Sequence, residues 1–250
     1  MNIQPEFSEL VRAADRTCLD RFGDRLAVSI VAGSVALGGA LPRVSDLDWF
    51  TFLHDEPTAA DKAWCSRTQR RLEGQFPVVS EVHLNLYSTE RLRAEGFWRF
   101  IFRYGGTRVR GRNLIAEFAR EGIRTIRPSR ALAKSRVPLV RRCMVDVLEG
   151  RCPPVLAELP ADPFLASRKL VRNFVIVEGA YVLMSRKTFC SFRQEDVLRG
   201  LRQMTRRCHT WLEKTDAILD NPHRAGIRQE DLMDELQGFV AWSTSFIEKA

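Results

Sequence analysis

The sequence predicts an α+β protein: a small domain of strands and helices over residues 1–122, followed by an all-helical domain over residues 123–250. Two observations carry this reading. The first half alternates short β-prone runs with helical stripes, whereas beyond Gly122–Ser129 (GIRTIRPS) the apolar residues recur only at helical spacing. A chain of 250 residues is also long enough to bury a core in each part without disulfides.

The elements follow in order. Pro5 suits a first helical turn, and Leu10, Val11, Ala14, Cys18, Leu19 and Phe22 form one stripe that ends at Gly23. Leu26–Ala32 (LAVSIVA) reads as a strand that stops at the Gly33–Ser34 turn, and Leu47–Leu53 (LDWFTFL) reads as a second. Thr58 or Asp61 caps a helix through Leu72, which Gly74 and Pro77 end. Val78–Tyr87 (VVSEVHLNLY) alternates with period two, placing Val82, Leu84 and Leu86 on an apolar face and Glu81, His83, Asn85 and Tyr87 on the other. Thr89–Tyr104 reads as a helix, and Gly105, Gly106 and Gly111 break the chain around TRVR. The second half holds helices at Arg130–Leu148, Ala166–Met184, Gln194–Leu219 and Gln229–Lys249, separated by prolines.

Charge is unevenly spread. The formal net charge is +8, yet Ile101–Arg151 alone carries thirteen Lys and Arg against four Asp and Glu. One basic segment in an otherwise near-neutral chain points either to an anionic partner, such as nucleotide phosphates or RNA, or to solvated arginine-rich helices. Six scattered cysteines with no C-x-x-C pair argue against zinc and fit reduced thiols. With no apolar run long enough to span a bilayer, a cytoplasmic protein without a membrane partner is expected.

The chemistry concentrates in GSVALGGALPRVSDLDWF, Gly33–Phe50. Strand periodicity projects Asp46 and Asp48 from one face while Leu47 and Trp49 take the other. Two like charges so close repel unless a cation lies between them, and Mg2+ favours one or two carboxylates together with substrate phosphate oxygens. On these residues alone Asp46 can instead cap the turn after Ser45, and Asp48 can be solvent-exposed. Gly33–Ser34 opening a short helix offers backbone N–H groups to phosphate, and Gly38 and Gly39 return the chain toward the second strand.

Gly33-Ser34, a spacer and Asp46-x-Asp48 between apolar residues resemble the signature of the polymerase-β-like nucleotidyltransferase superfamily, closest to the aminoglycoside (streptomycin/spectinomycin) adenylyltransferases. The resemblance implies a mixed sheet and a third carboxylate on a later strand, where Glu81 stands. It implies transfer of AMP from ATP, with two Mg2+ ions held by Asp46, Asp48 and Glu81, to a hydroxyl of an acceptor. That acceptor is an aminoglycoside-type small molecule, or RNA or protein as in toxin–antitoxin relatives. A catalytically silent nucleotide-binding module is the alternative of another class. Gly33, Ser34, Arg108 and Arg110 are the expected nucleotide contacts. The helical domain is expected to bind the acceptor. Glu178, in the apolar helix VRNFVIVEGAYVLM, is read either as a general base or cation holder or as a buried ion pair, with Arg172 as one partner. His83, on the polar face of the third strand, is read either as a contact to nucleotide or metal-bound water or, the favoured reading, as a hydrogen-bonded structural residue.

Overall fold

The computed structural model describes residues 3–153, 156, 159–204 and 209–250, except for the side chains of residues 209 and 210. The chain divides into two compact units, Met1–Arg127 and Pro128–Ala250, so the boundary falls inside GIRTIRPS.

In the first unit, helix α1 (Ser8–Phe22) follows a single 3-10 turn at Pro5–Phe7, and strand β1 (Leu26–Ala32) runs into the one-turn helix α2 (Gly33–Leu37). Strand β2 (Leu47–Leu53), helix α3 (Ala59–Gln75) and strand β3 (Val82–Ser88) come next. Helices α4 (Thr89–Ala94) and α5 (Gly96–Gly105), strand β4 (Gly106–Gly111) and helix α6 (Leu114–Arg120) complete the unit. The sheet order is β3-β2-β1-β4. Strand β1 is antiparallel to β2 and β4, while β2 and β3 are parallel, which makes the sheet mixed and the fold α+β.

Alternation in β2 assigns its two faces. Leu47, Trp49 and Leu53 join Val82, Leu84, Leu86 and the apolar stripe of α1 in one core, where burying each large side chain contributes about 1.5–3 kcal/mol. The buried Trp49 indole donates to Thr51 Oγ1 at 2.8 Å, so its polar atom is not left unpaired. Phe50 and Phe52 point the other way and pack with Phe102, Leu92 and Trp98. The α1 side is further tied by Asp61, which closes a capping box with Thr58 and accepts from Arg21 and Arg25. Burial pushes the Asp61 carboxyl up, but those donors outweigh it and hold it well below the usual range.

Three expectations for this unit are corrected. The third strand begins at Val82 rather than Val78, because residues 77–80 form turns and a bend. The helix expected over Thr89–Tyr104 breaks at Glu95, where φ −92° and ψ 95° leave helical space. GTRVRG, expected as a break, is the edge strand β4: pairing with β1 satisfies backbone groups that local propensity alone would leave to a turn.

The second unit is helical among the described residues. Helix α7 (Arg130–Leu148) keeps Pro138 inside it, α8 (Pro163–Val171) is capped by Asp162, and a π-helical segment at Arg172–Val177 leads into α9 (Glu178–Ser185). Then come α10 (Gln194–Met204), α11 (His209–Asp220), α12 (Pro222–Ala225) and α13 (Gln229–Lys249). Residues 205–208, within the expected Gln194–Leu219 helix, lie outside the described residues, as does Cys208. No helix among the described residues is long and apolar enough to cross a membrane.

The β1–β4 pair offers a direct test of the topology. Gly111 has φ +82°, and a Cβ there would collide with Ala27 O and Val28 Cα. Gly111→Ala is therefore expected to cost the sheet about 2 kcal/mol or more, read as a lower urea midpoint at unchanged m value.

Candidate active site

Asp46 and Asp48 lie at the start of β2 on the face opposite Leu47 and Trp49, as strand periodicity requires. The register fixes their neighbours. On the β1 side Asp48 pairs with Ala32, the residue before Gly33, and on the β3 side it pairs with His83. One step earlier, Leu47 N–H donates to Glu81 O, which places Glu81 at the entrance to β3, alongside the entrance to β2. The result is a two-by-two array on adjacent parallel strands: Asp46 and Asp48 in one row, Glu81 and His83 in the next.

Ligand atoms of Asp46, Asp48 and His83 all fall within 4.8 Å of one another. His83 Nε2 lies 3.2 Å from Glu81 Oε2 and 3.8 Å from Asp46 Oδ2, so the imidazole joins the two carboxylates. Glu81 is the most open of these three, with half its side chain exposed against 37% for Asp46 and 36% for His83. Two carboxylates, a ring nitrogen and a third carboxylate at the rim form a donor set that fits a divalent cation with positions left for substrate oxygens.

The glycine–serine turn is part of the same construction. Gly33 has φ +68°, and a Cβ on it would stand 2.5 Å from Asp48 Oδ2. Glycine is required twice over, for the left-handed backbone and for the carboxylate lying against its Cα. Ser34 is buried directly after it. Helix α2 is only one turn long, so a macrodipole adds little there, and what the turn presents is backbone. Gly38 ends α2 in the αL conformation and, with Gly39, donates to Ser34 O, reversing the chain toward β2.

Of the two predicted arginines, Arg110 is drawn away from this array. Arg110 forks onto Asp15 of α1 at 2.8 and 2.7 Å, on the α1 side of the sheet, whereas Asp46 and Asp48 project from the other side. Arg108 is exposed, donates to Gly111 O at 2.8 Å, and lines a cavity of about 490 Å³ with Phe102, Arg103 and Arg112.

Glu178 sits at the start of α9 in the second unit, with no exposed surface, and neither carboxylate oxygen has a hydrogen-bond partner. No ion pair holds it among the described residues, so the expected pair with Arg172 is not the arrangement found. Burial raises its pKa from 4.5 to about 7, partly opposed by the charge of Arg136. Arg136, on α7, stacks over the Tyr181 ring at 5.5 Å, and its Nε is also buried without a partner.

Two participants were not assigned these roles from the sequence. His83 shares the period-two face with Glu81, and that was its only signal; its place beside Asp48 depends on the β2–β3 register. Arg136 carried no signal, since its proximity to Glu178 is a tertiary matter.

No protein-family model and no curated protein matches the chain. Among solved structures it is similar to spectinomycin adenyltransferase AAD(9) from Enterococcus faecialis with ATP and spectinomycin, with TM-score 0.54 at 10% identity over 96% of this chain and 99% of that one. It is also similar to a toxin–antitoxin with AMP-PNP, with TM-score 0.33 at 14% identity over 58% of this chain and 99% of that one. The fold is thus similar to that of this adenyltransferase, as the Gly33–Asp48 motif led one to expect.

The state of Glu178 has a measurable consequence. Between pH 4.5 and about 7 the folded protein holds a proton there that the unfolded chain releases, so this contribution to stability is full below pH 4.5 and is lost as pH rises through 7. Glu178→Gln is expected to remove that dependence and to be the more stable protein at pH 8, by on the order of 3 kcal/mol. Denaturation midpoints of both proteins from pH 4 to 8 measure it.

Proposed function

We propose that the chain is a nucleotidyltransferase that moves AMP from ATP to a hydroxyl of a small polyhydroxylated acceptor of the aminoglycoside type. The observation that carries this reading is the array of Asp46, Asp48, Glu81 and His83, with the Gly33–Ser34 turn packed against Asp48.

Asp46 and Asp48 would hold a divalent cation, for which Mg2+ is the first candidate from the carboxylates and phosphate oxygens. When bound, that ion neutralises charge on the triphosphate and aligns it for in-line displacement. The Gly33–Ser34 turn binds the terminal phosphates through backbone N–H and the Ser34 hydroxyl. Glu81, at the open rim of the array, receives the proton of the acceptor hydroxyl as that oxygen attacks the α-phosphorus. The bond from the α-phosphorus to its bridging oxygen breaks, and pyrophosphate leaves. Positioning and electrostatics supply most of the rate.

Glu178 has no exposed surface to meet a substrate, so it is left out of the reaction. Arg110 is likewise left to Asp15. A small acceptor is preferred to RNA, and the exposed Arg120, Arg124 and Arg127 make RNA the rival acceptor that the tRNA panel tests. An acidic array suits an acceptor that carries amino groups. The solved neighbour with ATP and spectinomycin supports the same substrate class.

Incubation with α-labelled nucleoside triphosphates, Mg2+ and panels of aminoglycosides, tRNA and cell extract tests the reading. Label from ATP is expected on a small acceptor. Asp46→Asn and Asp48→Asn are each expected to lower its rate by at least about a hundredfold with the circular dichroism unchanged. Label on no acceptor, or unaffected rates in both variants, contradicts it.

A further inference from the structure

We propose that His83 is a direct protein ligand of the cation, and that this nitrogen shifts the preference of the site from Mg2+ toward Mn2+. The inference deepens the proposed function and rests on its assignment of the cation to Asp46 and Asp48.

The argument begins with the backbone. Asp48 and His83 are paired residues on parallel strands, and paired residues project to the same face with the strands only about 4.8 Å apart. The imidazole is therefore placed beside the Asp48 carboxylate by the sheet itself, before any choice of rotamer. Its Nε2 then turns toward the carboxylates, 3.8 Å from Asp46 and 3.2 Å from Glu81. With Asp46, Asp48 and His83 offering atoms within 4.8 Å of one another, an ion seated between the two aspartates meets the ring nitrogen as its third protein donor.

Glu81 Oε2 approaches the same nitrogen, so with an ion on Nε2 it stays at the open rim of the donor set as a neighbouring carboxylate. It is the most exposed of the groups that touch Nε2, and its partner there is His83 itself.

Donor chemistry supplies the selectivity. Mg2+ demands near-ideal octahedral oxygen coordination and keeps its waters, whereas Mn2+ accepts carboxylates together with a ring nitrogen more readily. A set of two aspartate oxygens and one imidazole nitrogen is thus better matched to Mn2+. His83→Gln keeps a polar side chain of similar reach and removes the nitrogen donor.

The test is metal binding without nucleotide or turnover. Mn2+ titrated into the full-length protein and followed by its electron paramagnetic resonance signal, with Mg2+ as competitor, should show Mn2+ bound at least about tenfold more tightly than Mg2+. Pulsed measurements on the bound Mn2+ should show the coupling of one directly coordinated imidazole 14N, a readout on the unaltered protein. His83→Gln should abolish that coupling and weaken Mn2+ by about tenfold, with Mg2+ changed by no more than about twofold. If Mn2+ binds, Asp48→Asn weakens it and no 14N coupling is seen, the role of His83 is overturned while the carboxylate site stands. If neither ion binds in a way that Asp48→Asn alters, the cation site itself is overturned, and His83 with it.

Discussion

The contact on which the site depends is that of the Asp48 carboxylate with the Cα of Gly33. Asp48 is where two registers cross, antiparallel to Ala32 on β1 and parallel to His83 on β3. A slip of one residue in either pairing would send every side chain of β2 to the opposite face, exchanging Asp46 and Asp48 for Leu47 and Trp49. The apolar residues behind the sheet prevent that slip, because Leu47, Trp49, Val82 and Leu84 are all buried with the stripe of α1. Crowding acidic groups costs on the order of one to a few kcal/mol per pair at this kind of exposure. The burial on the reverse face offsets that cost, so electrostatic strain on one side of the strand is sustained by packing on the other.

Charge elsewhere is only partly paired. Within the basic segment, Arg103, Arg120, Arg124, Arg127, Arg130 and Arg142 are exposed with no ion pair among the described residues, while four other arginines are paired. Arg110 is bound to Asp15, Arg112 to Glu117, Arg141 to Glu248 and Arg151 to Asp146. Each exposed pair is worth little in stability, and only Asp15 and Glu248 bring carboxylates from outside the segment, so most of its positive excess is left uncancelled.

Legibility followed the range of the interactions. Helices α7 and α13 match their expected spans, and the capping pair Thr58 and Asp61 was visible because a capping box is local. The turn at Gly33, the projection of Asp46 with Asp48 and the polar face that holds Glu81 and His83 were also local, each readable from a period of two or a glycine. Strand β4 was missed because its six residues become a strand only through β1. Likewise, nothing within SEVHLNLY states that β3 runs parallel to β2, so the adjacency of His83 to Asp48 could not be read from it.

Glu178 and Asp48 show why a carboxylate in an apolar run has two opposite meanings. Both stood out by the same contrast with their neighbours. In a strand, alternation leaves one face available, and the polar residues of adjoining strands collect there: Asp48 has Asp46, His83 and the backbone of Gly33 around it. In α9, residues 178–185 are all buried, so no polar face exists to receive Glu178. Its oxygens lack partners, and the cheaper state for such a group is the neutral acid, since an unpaired buried charge costs far more than a proton taken up near pH 7. The apolar context that made Glu178 conspicuous is the same context that seals it from substrate. The contrast with Asp48 lies in the geometry of strand and helix: alternation leaves Asp48 a polar face, and α9 leaves Glu178 none.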